Sequence, residues 1–139
     1  MKIYSKLLVV LLFLPLLVGM GSILGDDSPD KIPTVEDDFK AAYIDQMDIM
    51  TECREISIEG KTFIEGKRGE GIYTIPFDKI KDIVFLIHND TLTGIVHLKD
   101  GTTVELILQR DHRAYGKTRY GTFQIKLVNL KKLVFHSTN

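Results

Sequence analysis

Few side chains in this chain stand at spacings that catalysis or metal binding requires. The four histidines, His88, His97, His112 and His136, are dispersed, and none lies beside another His or near a Cys at metal-ligand spacing. His88 and His97 fall on neighbouring strand-like segments, and Glu105 is placed to join His97. A hydrolase or metal-dependent enzyme would have to be assembled there by folding. No Ser occupies a Gly-x-Ser-x-Gly elbow, and Ser57 and Ser137 have no base at a fixed spacing. Cys53, the sole cysteine, sits in TECREISI and reads as a small half-buried side chain rather than a nucleophile. Carboxylates are numerous, but they crowd before residue 60. Between Asp26 and Glu59 there are eleven acids against Lys31, Lys40 and Arg54, a pattern of solvated acidic surface. The expectation is a noncatalytic protein with no cofactor and no metal.

One stretch has a different chemistry. From Arg110 to Tyr120 the chain reads RDHRAYGKTRY, with four permanent cations, Asp111 as its single acid, and two tyrosines. Arginine presents a planar fork to carboxylate or phosphate, and tyrosine can stack on a sugar ring. The candidate binding residues are Arg110, His112, Arg113, Tyr115, Lys117, Arg119 and Tyr120. The stretch is expected to be a loop on a β scaffold, where function often resides. A solubilising loop facing the acidic N-terminal segment is the plainer alternative.

The elements that would hold this loop are announced by a repetition. Gly71 to Phe85 (GIYTIPFDKIKDIVF) returns as Gly121 to Phe135 (GTFQIKLVNLKKLVF) without a gap, and Gly66-Lys67 and Gly116-Lys117 extend the match upstream. An internal repeat fixes architecture before anything else does. The repeat spans 66–85 and 116–135, with an insertion in the second copy expected around Gln109 to Tyr115. From Thr51 the apolar residues alternate in segments rich in Ile, Val, Thr, Phe and Tyr, divided by Gly, Asp and Asn. Strands are expected at Thr62 to Glu65, Gly71 to Phe77, Asp82 to His88, Leu92 to Lys99, Thr102 to Gln109, Thr118 to Leu127 and Leu130 to His136. Pro76 cannot donate to a ladder and marks a strand end or an edge. Around Lys99-Asp100-Gly101, a two-residue turn would oppose Val96 to Glu105 and His97 to Val104. A three-residue loop with Gly101 left-handed instead pairs Val96 with Val104 and Gly94 with Leu106, separating apolar from polar faces. Phe39, Ala42, Tyr43, Gln46, Met47 and Met50 recur at helical spacing after Thr34, so an amphipathic helix is expected over about 35–48. The predicted fold is all-β: a small barrel or two-sheet sandwich built from two similar halves, preceded by a signal peptide and one short amphipathic helix.

The chain begins with Lys2 and Lys6, an apolar run from Leu7 to Val18, and the small residues Gly19-Met20-Gly21-Ser22. That is the layout of a secretory signal peptide, with cleavage expected after Gly21 or Gly25. The rival is an uncleaved anchor, since Leu7 to Gly25 is 19 residues and about 20 can span a bilayer. No Cys near the cleavage region supports a lipoprotein anchor. The domain reading is a signal peptide or N-terminal anchor at 1–25, an acidic spacer at 26–38 carrying Pro29 and Pro33, and a single β-rich domain at 39–139. Loss of the leader removes two lysines and leaves 16 cationic residues against 19 acids, net −3. That balance argues against nucleic acid, which wants a strongly basic face. Asn89-Asp90-Thr91 matches a glycosylation acceptor, relevant only in a eukaryotic secretory pathway.

The segment from Gly71 to Phe85, G-x-[YF]-x-I-P-x-x-x-I-K-x-I-x-F, resembles a β element of uncharacterised exported bacterial proteins. There it follows a line of the form V-x-L-x-D-G-x-x-V, which Val96 to Val104 (VHLKDGTTV) resembles. The resemblance covers about half of the mature chain. It implies a small all-β module of the bacterial envelope and no activity. The expected function is a noncatalytic binding or envelope-interaction module, periplasmic or extracellular. Its partner would be an acidic envelope component or a protein. A membrane-anchored accessory subunit is the alternative if the N-terminal segment is retained.

Overall fold

Alternation of Ile, Val, Phe and Thr between glycine and aspartate turns builds ten strands within residues 31–137, which the computed structural model describes. They are β1 (Ala41–Asp45), β2 (Met50–Ile58), β3 (Phe63–Arg68), β4 (Gly71–Pro76), β5 (Ile80–His88), β6 (Thr91–Leu98), β7 (Thr103–Leu108), β8 (Arg113–Lys117), β9 (Thr122–Lys126) and β10 (Leu130–Phe135). All are antiparallel, in the order β4-β3-β7-β6-β5-β10-β1-β2-β8-β9, as one sheet curled into a half-barrel. The all-β class predicted from sequence is therefore the observed one. The architecture is nearer to the barrel, left open between β4 and β9. The expected leader and the first five residues of the acidic spacer, 26–30, lie outside the described residues.

One strand face closes over the core, which holds Tyr43, Ile56, Ile64, Phe77, Ile80, Ile83, Phe85, Leu92, Val96, Leu106, Leu127, Leu130 and Leu133. Phe77 is its aromatic centre, with Phe39 edge-on at 5.6 Å and Phe135 tilted at 5.0 Å between ring centroids.

The segments 63–88 and 113–135 pass through the same succession of strand, strand, short 3-10 turn and strand, the turns being Phe77–Lys79 and Leu127–Asn129. At the middle of the sheet β5 meets β10, and there Ile83 lies opposite Leu133, its counterpart fifty residues on. Val84 opposes Lys132 and Asp82 opposes Val134, so the pairing repeats about a local two-fold axis. Outward from that axis, β5 pairs β6 with Ile83 opposite Val96, and β10 pairs β1 with Leu133 opposite Tyr43. The hairpin β1–β2 (Ala41 opposite Cys53) thus matches β6–β7 (Gly94 opposite Leu106) with numbers 53 apart. The last step exchanges partners: β7 pairs β3 with Ile107 opposite Lys67, and β2 pairs β8 with Arg54 opposite Lys117. Each half of the chain therefore completes the sheet of the other. Gly66 and Gly116 permit this closeness, because a Cβ on either would fall 2.7 Å from the Cβ of Leu106 or of Cys53, respectively.

Three expectations need correction. The helix over about 35–48 is absent: Ala41–Asp45 is strand β1, and Met47 and Met50 point to solvent. β1 lies centrally between β10 and β2, and Ala41, Ala42 and Tyr43 are all buried. A strand covered on both faces loses its alternation and reads equally as helix. The insertion around Gln109 to Tyr115 is also absent, since β2–β3 and β7–β8 are joined by connections of equal length, 59–62 and 109–112. The extra residues lie in β2 of the first half, where a bulge between Arg54 and Ser57 places Glu55 at φ 49°. Finally, the basic stretch is not a loop. Arg113–Lys117 is strand β8, and Thr118 Oγ1 accepts from the Tyr120 and Gly121 amides to turn the chain into β9. The expected hairpin at Gly101 is observed as reasoned: Val96 opposes Val104, Gly94 opposes Leu106, and Gly101 has φ 93°.

Candidate ligand-binding groove

Strand alternation splits the basic stretch rather than presenting it as one surface. Arg110 bonds the Asp90 carboxylate at 3.2 Å. Arg113 donates its guanidinium to Gln124 at 2.8 Å and its amide to the Glu59 carboxylate at 2.8 Å. His112 lies at the other end of β8, beside Ile58 and Leu127. Tyr115 is half-buried, and its carbonyl accepts the Tyr43 hydroxyl at 2.8 Å. Burial holds that Tyr43 hydroxyl well above its ordinary pKa, so it remains a neutral donor. Only Lys117, Arg119 and the exposed Tyr120 stay together, with Arg119 over the Tyr120 ring at 5.4 Å.

What the fold adds to Lys117 and Arg119 is a row drawn from β2 and from the residues that flank β1 and β10. Arg54 of β2 lies directly opposite Lys117 of β8. One step beyond the Ala41–Cys53 pair, Lys40 lies beside Arg54, and the His136 amide donates to the Lys40 carbonyl at 2.9 Å. Opposed residues share a face, so His136, Lys40, Arg54 and Lys117 form a file running across the strands. Together with Arg119 they line an open groove of about 320 Å³ whose other walls are Glu52, Cys53 and Thr118.

The charges do not balance. Glu55 reaches Arg54 at 2.5 Å and Lys117 at 3.4 Å, and Glu52 reaches His136 at 2.6 Å. Lys40 and Arg119 make no ion pair among the described residues. Four permanent cations thus face two carboxylates in a protein whose overall charge is negative. Like charges directly opposed on a sheet are destabilising, and exposed ion pairs return only about 0–1 kcal/mol each. A site of this kind suits an anionic ligand. Burial, then the Glu52 carboxylate, push the Cys53 thiol up to about 12 despite the nearby cations, so it keeps its proton at neutral pH.

A family described as "Uncharacterised protein" matches residues 35–138. The chain belongs to that family. The match takes in all ten strands and every groove residue. No curated protein and no solved structure matches the chain.

The alternative assembly around His97 takes a different form from the one expected. His97 Nδ1 lies 2.5 Å from Asp82 Oδ1 on the opposite strand, whereas Glu105 opposes Ile95. Among the described residues no group of three or more His, Cys, Asp or Glu is placed to hold a metal ion. Ser57 is fully buried, and its hydroxyl has no hydrogen-bond partner among the described residues. Lys40, Arg54 and His136 were not among the candidate binding residues expected from sequence. Read linearly, Lys40 and Arg54 are minor cations in an acidic segment, and only the β1–β2 and β2–β8 registers bring them to Lys117.

Proposed function

We propose that this protein is a noncatalytic exported bacterial β-domain that acts as a binding or envelope-interaction module. Its ligand surface is the groove of Lys40, Arg54, Lys117, Arg119 and His136, and its partner is an acidic envelope component. The observation that carries this reading is the opposed cationic file, which is only half neutralised within the protein. A sheet that needed only solubility would place opposite charges across from one another. The equivalence of β1–β5 with β6–β10 supports two copies of one five-stranded unit, with the groove built where β1 and β2 of the first meet β8 and β10 of the second. Export rests on the leader-like N-terminus and leaves the domain periplasmic or extracellular.

The test compares the parent with a variant carrying Lys40→Gln, Arg54→Gln, Lys117→Gln and Arg119→Gln. Retention on an immobilised acidic cell-wall polymer should fall at least tenfold and should weaken with added salt. A second variant, Arg110→Gln with Arg113→Gln, alters cations outside the groove and should bind as the parent does. Equal retention by parent and groove variant would overturn the assignment.

A further inference from the structure

The two edges of the sheet, β4 and β9, have no strand partner on their outer side among the described residues; they occupy equivalent places but carry different side chains. On the outer face β9 presents Thr122, Gln124 and Lys126, where β4 presents Ile72, Thr74 and Pro76. On the core face Phe123 of β9 stacks on Tyr43, with ring centroids 5.6 Å apart. Its counterpart Tyr73 finds Val96 in the place of Tyr43 and remains 42% exposed, while Ile72 is 64% exposed. The strand GIYTIP contains no charged residue. Free edges template pairing with another chain, and proteins ordinarily blunt them with charge.

We propose that β4 is a self-association edge, at which two copies of this chain pair their β4 strands antiparallel about Tyr73. The Phe77 amide donates inward to the Thr62 carbonyl at 3.0 Å. By alternation Gly71, Tyr73 and Ile75 also point their backbone groups at β3, and Ile72, Thr74 and Pro76 point theirs outward. Outward donors are therefore the Ile72 and Thr74 amides, because Pro76 has none to give. Centring two copies on Tyr73 sets Ile72 opposite the second copy's Thr74, and both donors are used in both copies. Pro76 lies beyond that ladder and its missing N–H is not called on.

The occupant is a second copy because of what the edge lacks. Tyr73 wants an aromatic neighbour, and this register sets it against the same ring from the other molecule. A neutral strand meets itself without charge repulsion, whereas β9 paired to itself would bring Lys126 into a shared edge. The chain already uses this geometry internally, where Ile83 opposes its counterpart Leu133.

The test is sedimentation of the purified protein over micromolar to millimolar concentration, with three variants. The parent should show a mass that doubles with concentration. Thr74→Pro removes an outward amide without touching the β3 ladder, as Pro76 already does, and should hold the protein monomeric with an unchanged circular dichroism spectrum. Gln124→Pro, the equivalent change on β9, should dimerise as the parent does. Tyr73→Cys should form an intermolecular disulfide on oxidation, since opposed residues of this class lie about 4.5 Å apart at Cα, within disulfide reach. A parent monomeric throughout, a dimer that survives Thr74→Pro, or a dimer whose Tyr73→Cys form does not cross-link would overturn the proposal. Capture of an unrelated extended peptide at β4 in place of a second copy would overturn it as well.

Discussion

The file His136–Lys40–Arg54–Lys117–Thr122 and the file Leu86–Thr93–Ile107–Lys67–Ile72 run across equivalent strands at equivalent registers. The first is cationic and forms a groove. The second, Lys67 apart, is uncharged, and Leu86, Ile107 and Ile72 are each at least half exposed. Beneath them the core-facing positions agree far better: Ile80 with Leu130, Ile83 with Leu133, Phe77 with Leu127, and Gly66 with Gly116, all buried. Frame and chemistry are therefore written in alternate residues of the same strands. Agreement is looser toward the sheet edges, where Ile75 is buried and Ile125 half-buried.

The sharpest way to break this comparison is at its axis. Ile83 and Leu133 are both fully buried and face each other across β5 and β10. Ile83→Ala and Leu133→Ala should each cost about 2–5 kcal/mol, the range for truncating a large buried aliphatic. The two losses should agree with each other in the midpoints of denaturant unfolding. A large disparity would mean that the halves share a path of chain but not a core.

Much of the frame was legible because it rests on local contrasts. The Gly101 hairpin follows from face separation alone, and the turn after Pro76 follows from a short polar interruption between two apolar runs. Strand β1 was not legible, since Ala41, Ala42 and Tyr43 are covered on both sides and carry no period-two signal. The hairpin at Thr118–Gly121 was missed within a strand expected over Thr118 to Leu127, because Thr118 stabilises it through its side chain and not through a familiar turn dipeptide. The groove was half legible: Lys117 and Arg119 were expected as binding residues, and Arg54 and Lys40 only as minor cations of an acidic segment. Their meeting depends on β2 pairing with β8, an exchange between halves that no window of sequence contains.

A smaller effect tests whether the outer chemistry is separable from the frame. Arg54→Ile gives the groove the residue that its counterpart file has at that place, and Ile107→Arg does the reverse. Away from buried features such changes usually stay within about 0.5 kcal/mol, so unfolding midpoints should barely move for either. Retention on the acidic polymer should nonetheless drop for Arg54→Ile. A loss of several kcal/mol from Arg54→Ile would instead make the file part of the structural frame, with Arg54 and Glu55 holding the β2 bulge in place.

The smallest difference concerns Cys53 and its counterpart Leu106, and it is silent at neutral pH. Cys53 is buried beneath the groove, and its thiol is pushed up to about 12 from an ordinary 9.0 by burial and by Glu52. Unfolding would release the thiol to its ordinary value. Below pH 9 both states keep the proton, and the shift leaves stability at its full value. Between pH 9 and about 12 the unfolded chain sheds a proton that the folded one retains, so stability falls as pH rises through that window. Cys53→Ala removes the titrating group, and its unfolding free energy should decline less steeply than the parent's over this range. Leu106→Ala, the matching truncation in the other half, should lower stability and leave the alkaline slope of the parent unchanged. If parent and Cys53→Ala decline in parallel, the cations above the thiol must offset both its burial and Glu52, and the positive field of the groove reaches its floor.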